Sequence, residues 1–126
     1  MNNEKIIEAT IEYVVADLGL SIVPEVIELR NYREQVFGHV NHDIPNTIFI
    51  DIAQINKYYT GTKSIYMLIS TICHEARHLW QIQEGWEFNN ELPLRQRPHE
   101  IDAENYETNC IADAVSFVIE YSKEVG

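Results

Sequence analysis

Residues 64–84 place the strongest constraint on any fold this chain can adopt. Ile65, Leu68, Ile69, Ile72, Cys73, Ala76, Leu79 and Trp80 recur at three- and four-residue spacing, which gathers them on one side of a helix. Within the same run stands His74-Glu75-Ala76-Arg77-His78. Residues four apart share a helix face one turn from each other, and here that face lies away from the main apolar stripe. A helix buried on one side, with paired histidines opening on the other, is what a metal cleft needs. Both imidazoles can bind one zinc ion, and the glutamate between them reaches water at the metal. Gly85 closes the pattern.

The rest of the chain supplies one core around that helix. With 126 residues, 45% of them hydrophobic, residues 1–126 read as a single domain. Ile6, Ile7, Thr10, Ile11, Val14 and Leu18 predict an N-terminal amphipathic helix, with Asn3 as its N-cap and Gly19 as its stop. Three short β-rich runs follow, Val26 to Leu29, Gln35 to Val40 and Thr47 to Ile50, separated by turn residues. Ala53 to Tyr59 reads as a brief helix. A last helix is expected from Pro98 to Lys123, where proline suits the first turn because its missing N–H costs nothing. The fold class is therefore α+β.

Charge and composition exclude several roles. A net charge of −11 and a pI near 4.7 oppose attraction to nucleic acid or to an anionic membrane surface. The first residues lack the basic start and apolar run of a secretion signal, and no stretch approaches the roughly 20 apolar residues of a membrane span. A soluble, cytoplasmic protein is expected, with Cys73 and Cys110 as buried reduced thiols. Nothing in the pattern sets an oligomeric state.

A catalytic zinc site takes a third protein ligand and leaves a fourth position open. On the last helix Glu100, Glu104 and Glu107 fall on the apolar side with Ala103, Cys110, Ala114 and Val118, whereas Asp102 falls opposite. A carboxylate facing a core needs a cation or hydrogen-bond donors. Zinc would serve; so would Arg95 and Arg97, and the three glutamates would be wet if that helix end projected beyond the core.

The combination of His74-Glu75-Ala76-Arg77-His78 with Glu100-Ile101-Asp102-Ala103-Glu104 resembles the gluzincin metallopeptidases, most closely the small minigluzincins. It is also similar to the repressor-cleaving metalloproteases of mobile elements. The resemblance implies a zincin-like minimal domain: N-terminal helix, small three-stranded sheet, active-site helix, C-terminal glutamate helix. It implies Glu100 as third zinc ligand and Glu104 as hydrogen-bond partner of a ligand histidine. Glutamate at 104 departs from the more usual aspartate, and the added methylene keeps Glu104 a candidate ligand.

The chemistry so implied is zinc-dependent hydrolysis of a peptide or protein substrate, with Glu75 as general base. An extended peptide would lie along an exposed strand. His99, Arg95, Arg97, Tyr58, Tyr59 and Tyr106 are the candidates for stabilising the oxyanion, each with an ordinary packing or surface role as the simpler account. Gln81 reads as solvated, Trp80, Trp86 and Phe88 as core and cap aromatics, and His39 and His42 as strand-end residues. The competing readings are a non-catalytic zinc-binding module, interacting or inhibitory, and a metal-free helical interaction protein.

Overall fold

The computed structural model describes residues 2–125. In chain order it has α1 (Asn3–Leu18), β1 (Glu25–Glu28), β2 (Gly38–Asn41), β3 (Ile44–Ile50), α2 (Ile52–Tyr58), α3 (Thr62–Gln83) and α4 (Pro98–Val125), with a single 3₁₀ turn before α4. This is the expected α+β layout of four helices and a small three-stranded sheet. No helix among the described residues is long and apolar enough to cross a membrane.

Local chemistry sets the boundaries. Asn2, not Asn3, caps α1, its side chain accepting from the Lys5 amide at 2.9 Å. Gly19 ends that helix in the left-handed region at φ 65°. The second strand begins at Gly38, later than the expected Gln35, because Gln35 itself takes a left-handed φ of 61° that no strand accommodates. Asp51 stops β3 and starts α2: its carboxylate accepts from the Gln54 amide at 3.1 Å and the Asn31 amide at 2.9 Å.

The sheet order is β1-β3-β2, with β1 parallel and β2 antiparallel to the central strand. One core joins the layers, with Ile6 and Val14 of α1, Ile48 and Ile50 of β3, and Ile69 and Ile72 of α3. Where α3 and α4 meet, both helices bury small side chains, Cys73 and Ala76 on one and Ala103, Cys110 and Ala114 on the other. Small residues at a contact let helix axes approach, so short acidic side chains can span the gap. Cys73 and Cys110 are both buried free thiols.

Candidate metal centre

Polar contacts between α3 and α4 run in antiparallel register. Gln81 meets the backbone of His99, His78 meets Glu100, Arg77 meets Asp102, and His74 meets Glu107. The register brings His74, Glu75 and His78 into the lining of an open cleft of about 780 Å³, together with Gly38 and His39 of β2 and with Phe88 and His99.

The two imidazoles are 4.9 Å apart between ring centres and nearly perpendicular. Each is held through Nδ1. That of His74 lies 2.7 Å from Glu107 Oε1, and the other oxygen of Glu107 accepts from the Ser70 hydroxyl. That of His78 lies 2.8 Å from the Oε1 of Gln81. A glutamine carbonyl only accepts, as does a carboxylate, so both Nδ1 atoms are the protonated ones. Both Nε2 atoms then point at one carboxylate oxygen, Glu100 Oε1, at 3.4 Å from His74 and in closer contact with His78. Two lone pairs and a carboxylate facing one point repel unless a proton or a cation stands between them.

Electrostatics express the same demand. Burial works against charge on His74, yet the Glu100 and Glu107 carboxylates override it and raise its pKa to about 10. His78 is raised likewise by Glu100 against its own desolvation. The two histidines in turn hold Glu100 far below the ordinary carboxylate range. Glu75 shifts the opposite way: full burial pushes its carboxyl up, only partly opposed by the imidazoles. Its Oε2 is sealed from solvent and has no hydrogen-bond partner among the described residues.

His74, Glu75 and His78 each offer a ligand atom within 4.8 Å of the others, a group able to hold a metal ion. The donor set fits a divalent cation. Two imidazole nitrogens are fixed in the ligating tautomer, Glu100 faces both, and the unpartnered oxygen of Glu75 lies beside them. No family model, curated protein or solved structure matches the chain.

Several expected placements change. Glu104 is exposed and borders the cleft without a hydrogen bond among the described residues; Glu107, one turn further, is the carboxylate against a cleft histidine. Asp102 does not face solvent alone: it pairs with Arg77 at 2.7 Å and accepts from Gln81 Nε2 at 2.8 Å. Gln81 is not solvated but 0% exposed. Its signal was position, three residues after His78, where a helical neighbour can meet the ring. Phe88 is a cleft residue rather than a core cap, its ring centre 4.7 Å from His42, 5.5 Å from His78 and 4.2 Å from His99. His39 stacks on Phe49 at 4.9 Å.

Of the oxyanion candidates, Tyr106 bonds Asp17 at 2.8 Å and Tyr58 bonds Glu34 at the surface. Tyr59 packs against Phe37, and Arg97 donates to the carbonyls of Leu92 and Asn90. Arg95 is exposed. His99 alone among them is both buried and at the cleft.

Gly38 closes the near wall. A Cβ there would stand 2.8 Å from Thr71 Cγ2, 3.0 Å from the Phe49 carbonyl and 3.3 Å from Glu75 Cγ. Only glycine lets β2 lie this close to α3.

Proposed function

We propose that this chain is a zinc-dependent peptide hydrolase, a minimal gluzincin, with His74, His78 and Glu100 as metal ligands and Glu75 as general base. The observation that carries the reading is the convergence of two Nε2 lone pairs on the Glu100 carboxylate beside a buried, unpartnered Glu75 oxygen. Two imidazoles and one carboxylate are a set that zinc takes in catalytic sites. When bound, zinc supplies Lewis acidity, polarising a carbonyl and acidifying water.

The chain's residues do the rest. Glu75, raised in pKa by burial, takes a proton from attacking water and returns it to the leaving amine. Glu107 and Gln81 keep the two imidazoles in the ligating tautomer. Among the described residues β2 pairs with β3 alone and borders the cleft, so its other edge offers backbone groups to an extended substrate. A net charge of −11 keeps nucleic acid out of the substrate range.

A non-catalytic zinc module has one observation on its side, the contact of Phe88 with His78, which narrows access. The two readings part on one comparison. Zinc-loaded wild type is expected to cleave a quenched fluorescent casein, and Glu75→Gln to retain zinc while losing about 10²–10⁴-fold in kcat, the span of general-base catalysis. Equal, zero turnover in both would leave only the binding module.

A further inference from the structure

Resting on the peptide-hydrolase reading, we infer that His99 is a further catalytic residue, donating a hydrogen bond from Nε2 to the scissile carbonyl oxygen as negative charge develops there. His99 sits in the first turn of α4, immediately before Glu100, and is 4% exposed although it lines the cleft. Its position is fixed from two sides. Its carbonyl accepts from Gln81 Nε2 at 2.8 Å, and the same Gln81 holds His78. Its ring lies flat on Phe88, 4.2 Å between centres and 3° between planes. The ring centre is 5.8 Å from that of His78.

Yet neither ring nitrogen is hydrogen-bonded among the described residues, and Nδ1 is sealed from solvent. An imidazole carries at least one N–H. A buried N–H without an acceptor is rarer and costlier than a bare lone pair, so the proton belongs on Nε2, the edge left to border the cleft. A donor fixed in place and given no partner among the described residues is arranged for a group that arrives from outside. Of the other candidates, Tyr106, Tyr58 and Arg97 already have hydrogen-bond partners, and Arg95 is exposed.

The test uses the full chain loaded with zinc and two substitutions. His99→Phe keeps the ring stacked on Phe88 and removes both nitrogens; His99→Gln keeps an N–H donor. Both variants are expected to hold zinc within a few-fold of wild type in chelator competition. On quenched fluorescent casein, His99→Phe is expected to lose about 10²-fold in kcat with little change in KM, the worth of one oxyanion donor, and His99→Gln to recover part of that loss. Calorimetric binding of acetohydroxamate should weaken about tenfold in His99→Phe, one hydrogen bond's worth. Wild-type kcat and wild-type acetohydroxamate affinity in His99→Phe would overturn the inference. Loss of zinc by the folded variant would do so too, by making His99 a ligand. If wild type cleaves nothing, proteolysis is what fails, and the acetohydroxamate comparison still decides the role of His99.

Discussion

At the residue scale the site is defined as much by the partners of its histidines as by the histidines. Glu107 and Gln81 fix which ring nitrogen is free, so removing either frees a ring to turn or to change tautomer. Glu107→Ala and Gln81→Ala are each expected to weaken zinc affinity about 10- to 100-fold while the fold persists, measured by competition with a chromophoric chelator. With no metal bound, a proton on His74 answers the same carboxylates. Because the folded pKa of His74 is raised to about 10, its protonated form stabilises the metal-free fold. That contribution is complete below the ordinary histidine value and lost as pH rises through about 10. Urea midpoints of metal-free wild type relative to His74→Ala should therefore converge between pH 7 and 10.5, and a gap that stays constant would contradict the assignment. At this scale the sequence was legible where local spacing decides. The i, i+4 histidines and Glu75 needed only a helix, whereas Gln81 and Glu107 act across a contact that spacing alone does not specify.

At the element scale the decisive quantity is the antiparallel register of α3 against α4. Helical phase placed Glu100 and Glu107 toward the core correctly. It also put Glu104 inward, but that side chain is exposed, and it put Asp102 outward, where in fact Arg77 reaches across to it. A phase angle assigns a side to a residue, but the long Arg77 side chain widens the contact beyond any single stripe, and the register depends on the small residues that set helix approach. The same limit applies to β2. Its alternation was visible, but the left-handed Gln35 that delays it and the tight seat of Gly38 against Thr71 and Glu75 were not. Gly38→Ala must displace one of them. It is expected to cost about 1–3 kcal/mol, as overpacking does, and to reduce kcat by shifting Glu75. Thr71→Ser, which removes the methyl group nearest the new Cβ, should restore part of the stability in urea titrations. An unchanged midpoint in Gly38→Ala would show that β2 moves freely on α3.

At the scale of the whole molecule, α3 contributes its apolar stripe to the shared core and its polar face to the cleft, so a metal ion held in the cleft would be linked to folding. The Glu100 end of α4 and the β2–β3 hairpin both frame the cleft, and a cation held there ties α4 to the α3 face. Zinc bound to the folded state alone stabilises it by about 4 kcal/mol at a thousandfold excess over Kd, which thermal unfolding with and without zinc would register as a clear rise in Tm. The fold class and the order of elements followed from periodicity and length. Packing of the loop before α4, which brings Phe88 onto three imidazoles, did not, because no period marks a loop. The most direct measurement is zinc content per chain after purification without chelator, in wild type, Glu100→Gln and Glu104→Gln. About one zinc is expected in wild type and in Glu104→Gln, with loss in Glu100→Gln. Less than about 0.1 zinc in wild type, or loss in Glu104→Gln with retention in Glu100→Gln, would contradict the site described.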